Sequence, residues 1–177
     1  GQAQEHGFPV IGEPCPDFAL RNIQDYPVDS VSLADLKGKY VVLDFWHRYC
    51  ASCLAAFPKN NKLAEKFSDK LTVFTVGLED KQGLAEFYAM IKKRHSLTMP
   101  AAIDSSLFNR FVPNGASPHY VWIDKEGIVK AVTAQLSEKQ LAAFVADKPF
   151  DFVDRSYKAR FLTWQDYDKS KPFLVDG

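Results

Sequence analysis

The run Tyr40-Val41-Val42-Leu43-Asp44-Phe45-Trp46, followed at once by His47-Arg48-Tyr49-Cys50-Ala51-Ser52-Cys53, decides how this chain is read. The first seven residues are apolar on both faces except for Asp44, the pattern of a strand buried in the middle of a sheet. The cysteines then fall where the next element should begin. Beyond them Leu54, Phe57, Ala64 and Phe67 keep helical spacing, while Lys59, Lys62 and Lys66 line another side. Pro58 is expected to bend that helix near its middle. Cysteines three apart at a helix start share one face and can close a small reversible disulfide. Cys50 sits at the helix N-terminus, whose partial positive charge favours a thiolate that attacks. Cys53 lies a turn further in and would resolve the mixed disulfide. A strand feeding a Cys-x-x-Cys that opens a helix is the context of a redox pair, with a structural or metal role for the two sulfurs as the alternative.

Outward from this run the same signals continue. Residues 71–78 read as a second buried strand. Leu84, Phe87, Tyr88 and Ile91 sit at i, i+3, i+4 and i+7, which predicts an amphipathic helix. The basic run Lys92-Lys93-Arg94-His95 falls at its C-terminal end, where cations complement the helix dipole. Asp104 is placed to cap a short helix ending near Phe111. Residues 120–123 and 128–133, joined by Asp124-Lys125-Glu126-Gly127, read as a hairpin. Ser137 and Gln140 form a capping box for a last helix through about Ala146. On the other side, residues 1–14 are expected to wrap the surface, 18–22 to form a short strand, and 33–36 a helical turn stopped by Gly38. Strands alternating with helices and ending in a hairpin imply an α/β fold, a central mixed sheet flanked by helices. It is expected to occupy residues 1–147 with its N-terminal extension. Residues 148–177 form an aromatic-rich tail with Phe150, Phe152, Tyr157, Phe161, Trp164, Tyr167 and Phe173. The tail packs back on the domain, offers a partner surface, or opens a truncated second domain.

Composition narrows the function. Lys plus Arg number 22, as do Asp plus Glu, so there is no basic excess of the kind a nucleic-acid binder shows. No apolar stretch approaches the ~18 residues that would suggest a membrane span. Three cysteines are too few for a disulfide scaffold. The four histidines, His6, His47, His95 and His119, show no spacing that completes a metal site with the cysteines, and neither a metal nor a cofactor is expected. Asp44, a lone acid in an apolar strand, should carry a raised pKa, because burial penalises charge. Cys15 reads as a small buried hydrophobe, with a third redox thiol within reach of Cys50 as the alternative. His47, three residues before Cys50, reads as a solvent-facing loop residue; close and protonated, it would stabilise a thiolate.

Taken together these residues resemble the thioredoxin-like proteins, and most closely the TlpA/ResA-like group of extracytoplasmic disulfide reductases. The resemblance spans about residues 12–146. It rests on Gly12-Glu13-Pro14-Cys15-Pro16-Asp17-Phe18, Leu33-Ala34-Asp35-Leu36-Lys37-Gly38-Lys39, the cysteine run, Pro58, and Ser117-Pro118 before His119-Tyr120-Val121-Trp122-Ile123-Asp124. The chain departs from the group at Tyr49, often Trp there, at Ala51-Ser52, often Pro-Pro, and at His119, often Thr. The resemblance implies a thioredoxin fold and exchange of protein disulfides through Cys50 and Cys53. It implies that Asp44 shuttles the proton of Cys53. It further implies a cis Pro118 whose neighbour Ser117 pairs with an incoming peptide, and Trp46 and Tyr49 on the substrate side. The implied partners are protein thiols or disulfides and a redox donor protein, in the periplasm or cell envelope, with a membrane anchor outside this sequence compatible with that location. A peroxiredoxin of the same fold would carry Pro-x-x-x-Thr-x-x-Cys, which is absent around Cys50. A metal-carrying or redox-silent binding domain is the non-enzymatic alternative.

Overall fold

The structure is a computed structural model and describes residues 7–156. Two short strands, β1 (Ala19–Leu20) and β2 (Val31–Ser32), pair antiparallel and lead into a 3-10 turn at Ala34–Leu36. Gly38, at φ +87°, supplies the left-handed step that turns the chain into β3 (Tyr40–Trp46). Helix α1 (Ala51–Lys66) follows, then β4 (Leu71–Gly77), α2 (Leu84–His95), β5 (Ala101–Ile103) and α3 (Ser105–Phe111). The hairpin β6 (His119–Ile123) and β7 (Val129–Thr133) precedes α4 (Glu138–Val145).

Five strands form one sheet in the order β5-β4-β3-β6-β7. Strand β3 lies at its centre, parallel to β4 and antiparallel to β6. Alternation along β3 divides the interior. Tyr40, Val42 and Trp46 join a core with Cys53 and Phe57 of α1, Tyr88 of α2 and Phe144 of α4. Val41, Leu43 and Phe45 join a second core with α3 and with Cys15, Phe18 and Leu20 of the N-terminal segment. Each large side chain fully buried in these cores, Phe57 and Phe108 among them, stabilises the fold by about 1.5–3 kcal/mol. The N-terminal segment also covers both sheet edges. Cys15 N donates to Gly127 O (2.8 Å) at the β7 side, and Gln24 exchanges two bonds with Ala101 of β5. Covered edges cannot recruit foreign strands.

Some expectations need correction. Strand β5 was not foreseen: Ala101-Ala102-Ile103, after Pro100, is too short and too small-sided to show alternation. The strand expected over 18–22 shrinks to Ala19–Leu20, because Asn22 turns to φ +52°. The capping box closes only halfway. Ser137 Oγ accepts from Gln140 N (3.2 Å), but Gln140 Nε2 donates to Asp151 O (2.8 Å) instead of reaching back. Asp104 caps α3 as its type predicts, Oδ1 accepting from Leu107 N at 2.9 Å. Residues 148–156 lie against the domain: the Phe150 ring is 5.1 Å from that of Trp122, and Arg155 N donates to Val132 O at 2.8 Å. Tyr157, Phe161, Trp164, Tyr167 and Phe173 lie outside the described residues.

Candidate functional site

Cys50 is the N-cap of α1, and Cys50 and Cys53 are joined in a disulfide with their Cα atoms 5.2 Å apart. Cys50 Sγ accepts from Cys53 N at 3.2 Å, so the first sulfur sits against a free N–H of the helix start. Ser52 Oγ lies 3.7 Å from the same sulfur. Cys50 keeps 6% of its surface exposed and Cys53 1%. The pair is thus asymmetric, with the outer sulfur in the electropositive position that favours a thiolate.

The loop before Cys50 is tied down at several points. Cys50 N donates to His47 O (3.1 Å), and Tyr49 N donates to His47 Nδ1 (3.2 Å). His47 thus spends one ring nitrogen as an acceptor within its own loop. Arg48 donates to both Asp80 oxygens (2.7 and 3.2 Å) and to Gly83 O (3.2 Å), and its guanidinium lies 4.4 Å from the Phe87 ring centre. This forked contact fixes the residue two before Cys50 to the loop between β4 and α2. Tyr49 stands out into solvent, 74% exposed, with Gln82 Nε2 donating to its hydroxyl at 3.3 Å. Neither Arg48 nor Ser52 was singled out from sequence, and the Arg48–Asp80 pair spans 32 positions with no local signal.

Trp46 requires a correction. Its ring packs against Phe57, Phe87 and Tyr88 in the core and presents no surface to a docked chain. It supports the loop from below. Gly77 permits this, since a Cβ there would stand 2.6 Å from Leu84 Cδ2 and 3.3 Å from the Trp46 ring. The Ser117–Pro118 peptide bond is cis. Phe45 pairs with His119 in the β3/β6 register, so Pro118 comes next in line beside Trp46, at the end of the sheet where Cys50 stands. Ser117 and Pro118 are half-buried there.

Asp44 is wholly buried on the α1 side of β3, in register with Thr75 of β4 and Tyr120 of β6. Burial pushes its carboxyl up to about 7, with Asn60 opposing that rise. Cys15 lies in the other core, across the sheet from the disulfide, and burial pushes its thiol up to about 12. It is an inert packing group. Among the described residues no three His, Cys, Asp or Glu side chains come together in a way that could hold a metal ion. No helix among them is long and apolar enough to cross a membrane.

The chain is similar to several known proteins. The chain is 26% identical to the thiol-disulfide oxidoreductase ResA of Bacillus cereus over 139 residues, covering 76% of each protein. It is 32% identical over 123 residues to the thiol:disulfide interchange protein DsbE of Pseudomonas aeruginosa, covering 68% of this chain and 64% of that one. Among solved structures, the pneumococcal exposed lipoprotein thioredoxin of Streptococcus pneumoniae superposes with a TM-score of 0.59 at 26% identity, covering 74% of this chain and 98% of that one. Residues 11–132, which contain the disulfide, the cis-proline and all of the sheet but its last residue, match the AhpC/TSA family. With its thioredoxin fold and ResA-type relatives, the chain belongs to the AhpC/TSA family.

Proposed function

We propose that the chain is a thiol-disulfide oxidoreductase that reduces or isomerises disulfides of proteins outside the cytoplasm. The observation that carries this reading is the asymmetry of the site. Cys50 caps the helix and keeps 6% of its surface exposed against 1% for Cys53, and both lie on the side of β3 that carries Asp44, the one wholly buried acid among the described residues. In the reducing direction the Cys50 thiolate attacks one sulfur of a substrate disulfide. That bond breaks and the first substrate thiolate leaves. Cys53 passes its proton to Asp44 and attacks the Cys50 sulfur. The second substrate thiolate then leaves, and the Cys50–Cys53 disulfide forms. Two electrons have moved to the substrate, and a dithiol donor protein must restore the reduced pair.

An incoming peptide is read by the backbone at Ser117, beside Pro118, and by the exposed ring of Tyr49, in the manner of strand addition. Residues 1–147 form the catalytic domain, with residues 148–177 as an appended tail. The name of the streptococcal neighbour, an exposed lipoprotein, supports placement outside the cytoplasm.

The test is the equilibrium potential of the Cys50–Cys53 pair, with turnover on an insulin disulfide under dithiothreitol. A potential near thioredoxin's, about −270 mV, with Cys50-dependent turnover is the expected result. A potential near −120 mV would make the protein an oxidant instead. Rapid Cys50-dependent consumption of hydrogen peroxide would make it a peroxidase.

A further inference from the structure

The turn that delivers Cys50 is held from outside by one short loop. Cys50 N donating to His47 O closes a turn whose two central residues are Arg48 and Tyr49. Both reach the segment between β4 and α2. Arg48 forks onto Asp80 and donates to Gly83 O, with the paired side chains only 15% and 21% exposed. Tyr49 Oη accepts from Gln82 Nε2 at 3.3 Å. The segment is itself braced. Gln82 N donates to Asp80 Oδ1, the oxygen that also takes Arg48 Nη2. Glu79 Oε1 accepts from Asp80 N and from Leu84 N at the start of α2, and Glu79 N donates to Ser105 Oγ of α3.

We propose that Arg48, Asp80 and Gln82 are positioning residues: together they clasp the turn and present the Tyr49 ring, already ordered, to a substrate peptide. A ring 74% exposed beside Cys50 would otherwise sample several rotamers, and a docking chain would have to freeze it. Ordering one such side chain in advance is worth about threefold in affinity. The clasp therefore favours disulfides carried on a peptide, which Tyr49 can grip, over small ones, which it cannot. The outer sulfur takes its hydrogen bond from Cys53 N and not from the clasp, so the thiol chemistry does not depend on it. The Arg48 guanidinium holds the Asp80 carboxyl below its usual range, so the fork stays charged on both sides wherever thiols exchange.

The preference for peptides rests on the function proposed above, but the ordering of Tyr49 is read without it. The first measurement compares kcat/KM of the full chain on a disulfide-linked peptide and on hydroxyethyl disulfide, which carries no peptide for Tyr49 to grip. Gln82→Ala and Asp80→Asn should each lower the ratio of the two about threefold. Arg48→Lys should restore part of what Arg48→Ala loses. In a Tyr49→Ala background, Gln82→Ala should have no further effect. Gln82 is exposed, so its variant keeps the fold. The second measurement takes the Tyr49 Hα–Hβ couplings of the oxidised protein, which should report one rotamer in the wild type and an average in Gln82→Ala and Asp80→Asn. A ratio unchanged in every variant, or couplings already averaged in the wild type, overturns the proposal. A fall in Gln82→Ala that persists without Tyr49 also overturns it, and makes Gln82 a substrate contact. If the couplings behave as expected while the wild type exchanges neither disulfide, the positioning stands and the function proposed above falls.

Discussion

The two faces of β3 are built from one strand and do opposite things. One face presents Val41, Leu43 and Phe45 to an apolar core that swallows Cys15 at 2% exposure. The other presents Tyr40, Val42 and Trp46, with Asp44 between them, to the core that holds Cys53. Two buried cysteines thus meet opposite chemistry. Cys15 has a thiol raised to about 12 and a purely packing role. Cys53 has a partner sulfur at a helix start and an acid whose carboxyl is poised at about 7. On the function proposed above, the difference between the two cysteines comes from the helix start and the acid on one side of the sheet, not from burial alone.

The largest effect that would break this contrast is on activity. Cys50→Ser should abolish exchange, and Cys53→Ser should leave a stable mixed disulfide with substrate, trapped on a non-reducing gel. If the Cys50→Ser variant kept turning over, the division between the two faces would be lost.

The next effect is on stability, and its sign follows from burial. An unfolded aspartate releases its proton near 3.8, whereas folded Asp44 holds it up to about 7. Between these values the native state binds the extra proton. Asp44 therefore costs nothing below about pH 4, and stability drains away as pH rises to about 7, by about 4 kcal/mol. Asp44→Asn in the oxidised protein should be the more stable form at pH 8 by a large part of that figure, with the difference vanishing near pH 4. Urea unfolding across this range checks it, and equal pH dependence of the two forms would show that the acid is not desolvated.

A smaller effect concerns the loop. Arg48→Ala removes the fork on Asp80 and should lower the unfolding midpoint slightly, with Arg48→Lys recovering only part because lysine cannot grip both oxygens. The smallest is Cys15→Ala, which should cost about 1 kcal/mol of stability and leave the exchange rate unchanged. A loss of exchange there would contradict the inert side of the comparison.

Much of this was legible in the residues. The unbroken apolar run of β3 announced a central strand, and its single acid announced an unusual carboxyl. The cysteine spacing at the mouth of that strand announced the chemistry. What stayed hidden was what distance along the chain conceals. Asn60 and Tyr120 meet across 60 positions, and Arg48 and Asp80 across 32. Helical spacing placed Asn60 on the stripe of Cys53 and Phe57, but nothing local says that an asparagine there points inward to a tyrosine. The family resemblance puts Trp46 on the substrate side, whereas strand alternation and the space left by Gly77 turn it into the core. The short strand β5 carries too few residues for any pattern to show.

The most direct test of the central claim, that Asp44 takes the proton of Cys53, is stopped-flow reduction of a peptide disulfide by the fully reduced protein, wild type and Asp44→Asn, from pH 5 to 9. The wild type should show a resolving step that gains rate as pH rises through about 7, and the Asn variant should lose that limb and run about 100-fold slower at pH 7. Superimposable profiles would contradict it.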